Sequence, residues 1–299
     1  MSGNMQSLRR KIDGARDLEG VVRAMKALAA SSIGQYEKAV QSLDGYYRTV
    51  ELGLAACLRQ AGPDQVTAAR TSKAGEPVGA VIFGSDQGLV GRFNEVVVDL
   101  AVDTLHKLPG PKKKIWAVGD RVHGLLLDAG LGAPSLLSVP LSVNDIAPLV
   151  GEILIEIEAA REQHDVVDVY LFHNHPKSAD AFEPVCKRLL PLDQPWQNKL
   201  TKLPWPTKML PQVIEGPDPT LEAFIRGYLF VLLFQACAES LNSENASRLA
   251  AMQRAEKNIK NMLEDLNREF HRVRQQSIDE ELFDVVSGFE ALTGRDNHA

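Results

Sequence analysis

The two ends of the chain contain no proline. All 16 prolines lie between Pro63 and Pro219, and a proline in a helix interior costs about 3 kcal/mol. Long uninterrupted helices are therefore favoured at both ends. Cysteine is also scarce: Cys57, Cys186 and Cys237 are far apart and odd in number. They exclude a disulfide framework and indicate reduced, packed thiols in a cytoplasmic compartment.

Long apolar runs and excess positive charge are absent as well. The most apolar stretch, YLFVLLFQACA at 228–238, is shorter than the about 20 residues of a membrane span. Residues 1–15 lack the apolar centre of a signal peptide. The formal net charge is -6, whereas general nucleic-acid binders usually present a basic surface. We expect no nucleic-acid partner and no direct membrane insertion.

Apolar or small residues recur at alternating steps of three and four in both end segments. This spacing predicts an antiparallel coiled coil between a helix at 1–62 and a helix at 218–299. Glycines within the first segment are expected to mark close approaches of a neighbour. The first seam contains Met5, Leu8, Ile12, Ala15, Leu18, Val22, Met25, Ala29, Ser32, Tyr36, Ala39, Leu43, Tyr46, Val50, Gly53 and Cys57; the second contains Asn245, Leu249, Met252, Ala255, Ile259, Met262, Leu266, Phe270, Val273 and Ser277.

The middle of the chain, 76–210, alternates short V/I-rich runs with helical patterns. VGAVIFG, KKIWAVGD and VVDVYLFHN have the composition of strands, and helical patterns stand between them. Such alternation predicts a parallel sheet with helices on its faces, hence a Rossmann-like α/β domain inserted between the two arms. The following segment, PLDQPWQNKLTKLPWPTKMLPQ, shows little periodicity and is interpreted as a connector.

A glycine-rich turn, SDQGLVGRFN at 85–94, follows the first predicted strand and precedes a predicted helix. A phosphate-binding loop requires GxxxxGK[ST] or GxGxxG, and neither pattern is present. The turn therefore indicates a tight strand-to-helix connection. A nucleotide-binding enzyme with oligomerising arms remains the alternative, and no cofactor is expected.

Two short motifs could carry other chemistry. His173 and His175 in HNHP project from one side of a predicted strand and could bind zinc, but only a distant Cys186 or Asp180 is available as a further ligand, so surface histidines and no metal site are expected.

The other motif is GDRVHG, where Asp120 and His123 could act as an acid and base pair or belong to a plain loop. Near the amino end, Arg9, Arg10 and Lys11 form either a solvated face or a contact for an acidic partner.

The two ends together resemble a known family, the γ subunit of F-type ATP synthases. SDQGLVGRFN resembles that family's SDRGLCGGFN, and the order, spacing and chain length agree. The amino-terminal helix matches at Arg10, Lys11, Ile12, Ala24, Met25, Lys26, Ala29, Ala30 and Ser31, and the carboxyl-terminal helix at Arg274, Gln275, Ser277, Ile278, Glu281, Leu282, Val286, Ser287 and Gly288.

The chain departs from the family pattern at four positions in these motifs. Gln87 and Val90 replace an arginine and a cysteine of the turn, Arg92 replaces a glycine, and Asp279 replaces a common threonine. These departures suggest a divergent bacterial form or the subunit of an alternative ATPase.

The resemblance implies a non-catalytic rotor shaft that couples ion flow to ATP synthesis or hydrolysis. Its partners would be the ring of α and β subunits, the ε subunit and the membrane c-ring, at the cytoplasmic face of the bacterial plasma membrane. The ring contacts that it implies are Arg10, Lys11, Met25, Arg274, Gln275, Ser277, Asp279, Phe283 and Val286. A coiled-coil scaffold or chaperone without an ATPase partner is the alternative function.

Overall fold

The computed structural model describes residues 2–61, 75–109, 113–132, 134–178, 181–192, 194–209, 211 and 217–293. Two compact units are present: Met1–Leu28 with Leu249–Ala299, and Ala29–Arg248. The helices are α1 Ser2–Ser42, α2 Asp44–Ala61, α3 Phe93–Lys107, α4 Asp120–Asp128, α5 Ile146–Glu162, α6 Gln194–Thr201 and α7 Pro217–Thr293; the strands are β1 Val78–Phe83, β2 Lys113–Val118, β3 Ser135–Leu137, β4 Asp168–Ser178 and β5 Ala181–Leu190.

The larger unit is built on a five-stranded sheet of order β3-β2-β1-β4-β5. The first four strands are parallel, whereas β5 pairs antiparallel with β4. In the central strand β1, Val81 and Phe83 face a core cluster that includes residues of α2, α5 and α7, while Ala80 and Ile82 face a cluster with α3 and α4. Helices thus cover both faces of the sheet. Both faces of β1 are therefore buried, which explains why its sequence is one continuous apolar run.

The predicted fold class is confirmed: long terminal helices flank an inserted α/β sheet. The predicted parallel sheet omitted both edge strands, the parallel β3 and the antiparallel β5, and the segment interpreted as a connector contains α6. The first arm is two helices, separated at Leu43, rather than one. The domain boundaries drawn from the sequence stay a prediction.

Three members of the predicted seam are exposed, and the others are buried or half-buried. Leu18, Tyr46 and Met262 are exposed at 59%, 49% and 53%. A straight helix drifts by about 20° per heptad against a 3.5-residue repeat, so a strict alternation of threes and fours does not stay on one face. The buried seam positions are Leu8, Ile12, Ala15, Ala29, Tyr36, Ala39, Val50, Cys57, Met252 and Val273.

The glycines of the first arm have little to do with close approach. An added Cβ at Gly14, Gly20, Gly34 or Gly45 would meet nothing within 4 Å among the described residues, whereas at Gly53 it would lie 2.3 Å from the Phe224 ring. The expectation of several close approaches is therefore wrong except at Gly53.

One helical stretch among the described residues, Pro219–Ser287 in α7, has the length and apolar composition of a membrane span. Its apolar side chains Leu233, Ala236 and Cys237 are fully or almost fully buried in the core around the sheet. Burial in the protein itself accounts for this composition without a lipid environment.

Gly84, at the end of β1, provides a test of this packing. A Cβ there would lie 2.5 Å from the Cβ of Val122 and 2.9 Å from the Asn94 Oδ1. Gly84→Ala should therefore lower the free energy of unfolding by about 1–3 kcal/mol, the usual cost of overpacking. Urea denaturation of the full chain measures the change.

The matched control is Gly124→Ala within α4, where an added Cβ meets nothing within 4 Å. Alanine should leave stability unchanged or raise it by up to about 1 kcal/mol through helix propensity. Equal effects of the two substitutions would contradict the packing argument.

Candidate functional site

The glycine-rich turn after β1 is closed by hydrogen bonds of its own residues. The buried Ser85 donates its backbone N–H to the Asn94 side-chain Oδ1 at 2.9 Å, and Asn94 Nδ2 donates to Ser85 Oγ, also at 2.9 Å. Gly91 has a left-handed φ of 59°, a conformation that glycine adopts without strain. The Ser85 N–H, which a phosphate loop would direct at its ligand, is therefore already bonded.

The same turn is hydrogen-bonded to α7. Ser247 of α7 donates its hydroxyl to the backbone carbonyl of Val90, and Ser243 donates to the carbonyl of Asn174 at 3.0 Å. Asn174 in turn donates its Nδ2 to the Phe93 carbonyl at 2.8 Å. The turn connects a strand to a helix and binds a third element, which is a structural role and fits the absence of a nucleotide motif.

A second polar contact joins β4 to α7 around Glu239. Its Oε2 lies 2.9 Å from His173 Nε2 and 2.8 Å from His175 Nδ1, and Gln235 donates to Oε1 at 2.7 Å. Burial alone would raise the pKa of Glu239, but the hydrogen bonds from both histidines lower it to about 2. Burial lowers the pKa of His173, so an ionised carboxylate is held between two imidazoles.

These contacts correct two expectations for HNHP. His173 is completely buried, so only His175 is a surface histidine. Cys186 is paired with Phe172, which alternates with His173 along β4, and it packs on the other face of the sheet. Asp180 lies outside the described residues. The third group beside the histidines is Glu239, which is distant in sequence.

GDRVHG forms no acid and base pair. The Asp120 backbone N–H donates to the Asp86 carboxylate at 3.1 Å, and His123 Nε2 lies 3.2 Å from the Pro134 carbonyl, to which it can donate. Both residues belong to α4, so the plain-loop interpretation is wrong: Asp120 contacts the glycine-rich turn and His123 contacts the segment before β3.

In the smaller unit the two ends of the chain pair in opposite directions. Met5 and Arg9 in α1 lie near Phe270 and Arg274 in α7. Farther along, the Lys26 ammonium contacts the Glu256 carboxylate at 2.6 Å. Residue numbers increase along α1 while those of the contacting residues in α7 decrease. The two helices are therefore antiparallel, as the two seams predict.

A cavity of about 640 Å³ opens between the paired helices of this unit. Arg9, Arg16, Arg274 and His271 line it together with Asp13. Three guanidinium groups around one opening form a cationic surface, which suits carboxylates of a partner. Arg274 was predicted from the sequence, whereas Arg9 appeared only in a charge cluster and Arg16 was missed; only its helical spacing from Arg9 could have found it.

The sequence profile described as ATP synthase matches residues 4–292. The chain belongs to the ATP synthase γ family. The γ subunit is a non-catalytic subunit of the central stalk, and the catalytic sites of the enzyme lie on β subunits.

Relatives of similar length carry the same name. The ATP synthase gamma chain of Polynucleobacter asymbioticus is 25% identical over 96% of this chain and 99% of its own length. That of Cupriavidus necator is 27% identical over 98% and 100%. Two Euglena gracilis mitochondrial ATP synthase structures, of the rotor and of the OSCP/F1/c-ring assembly, give TM-scores of 0.62 and 0.67 at 16% and 14% identity. They cover 93% and 100% of this chain, with 100% and 98% of their own chains matched, and support the fold.

The γ-type ring contacts predicted from the sequence lie mostly on open surface. Arg10 and Lys11 are exposed in α1 and do not line the cationic cavity, while Met25 is half-buried. In α7, Phe283 is 73% and Val286 47% exposed. The remaining α7 positions are exposed at Arg274, Gln275 and Asp279 and half-buried at Ser277.

The departures from the γ pattern in the turn fall into two kinds. Gln87 and Arg92 are exposed, and Arg92 lies 3.7 Å from Asp99 on the same helix surface. Val90 is buried, and its backbone carbonyl accepts the Ser247 hydroxyl. The family's cysteine position is thus a packed site that valine also fills.

Asn94 provides a test of the closed turn. Asn94→Ala removes the acceptor of the buried Ser85 N–H, and an unpaired buried donor costs about 1–3 kcal/mol. Urea denaturation should show that loss, whereas Gln87→Ala on the exposed side of the turn should change nothing. If the two variants unfold at the same denaturant concentration, the Ser85–Asn94 pair does not stabilise the turn.

Proposed function

We propose that this chain is the central rotor shaft of a bacterial F-type ATP synthase or ATPase, which transmits rotation between a membrane ion-driven ring and the catalytic subunits. The observation that carries the proposal is the antiparallel pairing of the chain ends within a member of the γ family. A shaft requires two features: a directional attachment of its helix to the sheet, and a surface that contacts the ring.

The attachment is the contact of α7 with the sheet. The Glu239 carboxylate, the Ser243 hydroxyl and the Ser247 hydroxyl each bond a different partner on β4 or on the glycine-rich turn. Hydrogen bonds are directional, whereas apolar packing is not. Together they fix the rotation of α7 about its own axis, so torque applied to the sheet turns the helix rather than slipping around it.

The acting surface is the cationic cavity with the exposed end of α7. Arg274 and its neighbours Arg9 and Arg16 face outward, and Phe283 and Val286 are apolar side chains left in solvent. An exposed apolar end beside a cationic surface is typical of a region that a partner covers. We assign Arg274 and Gln275 to polar contacts with a catalytic subunit, Arg10 and Lys11 to acidic loops of the ring, and Phe283 and Val286 to its apolar bearing.

The family places the chain in a peripheral, membrane-associated complex. We assign it to the cytoplasmic face of the bacterial plasma membrane, with the ε subunit and the c-ring as neighbours of the larger unit. Reduced cysteines support this side: Cys57, Cys186 and Cys237 are all free thiols, as expected in a reducing compartment.

Reconstitution tests the proposal. Purified α and β subunits from the same source are assayed for ATP hydrolysis with and without this chain, after size-exclusion chromatography has established how many copies enter each complex. One copy per complex and a several-fold higher steady rate are expected. If the chain does not associate with the α and β subunits, the proposal is wrong and the coiled-coil scaffold is favoured instead.

Arg274→Ala combined with Gln275→Ala should lower the ATP hydrolysis rate of the reconstituted complex. Charge-assisted hydrogen bonds are worth about 1.5–3 kcal/mol each, so a fall of about tenfold or more is expected if they act in the transition state. Arg272→Ala removes an exposed charge two positions away and is the control, with a rate near that of the wild type. An unchanged double variant would exclude the assigned contact.

Met25→Lys should impair coupling rather than hydrolysis. The lysine introduces a charge where the family resemblance places a contact with β subunits. In vesicles that contain the whole complex, the number of ions pumped per ATP hydrolysed should fall, while Ala27→Lys on an exposed neighbouring face should preserve it. Equal pumping ratios in the two variants would contradict the contact.

A further inference from the structure

We propose that His173, His175 and Glu239 form a binding site for a divalent transition-metal ion of the zinc type, which cross-links β4 to α7. The inference does not depend on the rotor function, because it concerns only the larger unit. One ligand atom from each of the three residues lies within 4.8 Å of the other two.

The ligand set matches the chemistry of such ions. Two imidazole nitrogens and one carboxylate oxygen are the protein ligands of open zinc sites, which keep a further position for water. Mg²⁺ and Ca²⁺ prefer oxygen ligands alone, so two imidazoles select the borderline ions Zn²⁺, Co²⁺, Ni²⁺ and Cu²⁺. The three side chains come from two elements separated by more than sixty positions in the chain.

Each ligand is already oriented toward a common point. His173 and His175 are two positions apart on β4 and therefore project from the same face of the strand. Glu239 Oε2 lies within 3 Å of both ring nitrogens. Gln235 holds the other oxygen, Oε1, at 2.7 Å, which is the kind of supporting hydrogen bond that orients a metal-binding carboxylate.

The hydrogen bond of His173 directs a single ring nitrogen at the site. Without an ion, the His173 ring makes its hydrogen bond through Nε2, and its buried Nδ1 has no partner among the described residues. The ring orientation is therefore set by the group that Nε2 faces.

The site has an open side and an additional carboxylate. The His175 side chain is 44% exposed, so an ion can enter from solvent. Glu183 is directly opposite His175 on β5, and its carboxylate now contacts Lys177 at 2.6 Å. Cross-strand partners project from the same face of a sheet, so Glu183 lies on the same face as His175.

Binding is measured on the full-length chain, without an affinity tag, after treatment with a chelator. Isothermal titration with Zn²⁺ should show saturable binding of one ion per chain at this site, and Co²⁺ should give the visible absorption bands of a low-coordinate nitrogen and oxygen site. Zn²⁺ should also raise the thermal unfolding midpoint, since an ion that binds only the folded chain stabilises it.

His175→Ala is the decisive variant because its side chain is partly exposed and its loss should leave the fold intact. It should weaken Zn²⁺ affinity by about 10-fold or more and abolish the Zn²⁺-dependent rise in the unfolding midpoint. His106→Ala, an exposed histidine on α3, is the control and should bind as the wild type does. Glu239→Gln keeps the side-chain shape, removes the charge and should also weaken binding.

Three results would overturn the site. They are no saturable Zn²⁺ binding by the wild-type chain, wild-type affinity in His175→Ala, or an equal loss of affinity in His175→Ala and His106→Ala. Circular dichroism in the presence of chelator establishes that each variant is folded before its affinity is compared.

Discussion

The structure depends on a polar stretch of α7 that is buried against the sheet. Glu239, Ser243, Glu244 and Ser247 are nearly inaccessible to solvent, although polar groups are costly to bury unless they are paired. Each of them has a hydrogen-bond or ionic partner: two imidazoles, two backbone carbonyls and, for Glu244, the Arg248 guanidinium at 2.6 Å. Glu239, Ser243 and Ser247 bond groups on β4 and on the turn, so the helix packs in the register that pairs these three residues.

This requirement explains how one long helix serves two tasks. Its apolar residues around Leu233 and Cys237 are packed in the main core and supply non-directional stabilisation. The polar residues that follow determine the rotation of the helix about its axis and its position along β4 and the turn. Helix α7 also supplies residues of the smaller unit.

The sequence predicted what periodicity and composition encode. Strands β1, β2 and β4 were found because each contains a short apolar run, and the terminal helices because proline is absent. Strand β5 was missed because residues such as Glu183 and Lys187 lie on an edge and give no apolar run. The Glu239 cluster was missed because the contact between His173 and Glu239 is a tertiary one that no local sequence pattern contains. Arg16 was missed because the cavity that it lines also requires residues of α7.

The glycine-rich turn shows why a motif must be judged by where its donors point. A strand, a glycine turn and a helix are the scaffold on which phosphate sites are built. In this chain the Ser85 N–H is bonded to Asn94, and the Val90 carbonyl accepts Ser247. One backbone donor of the turn is therefore paired with a side chain of the protein itself, and one of its carbonyls is paired with α7. The turn attaches α7 to the sheet, and its glycines are explained by that attachment: Gly84 by its contact with Val122 and Gly91 by its left-handed backbone.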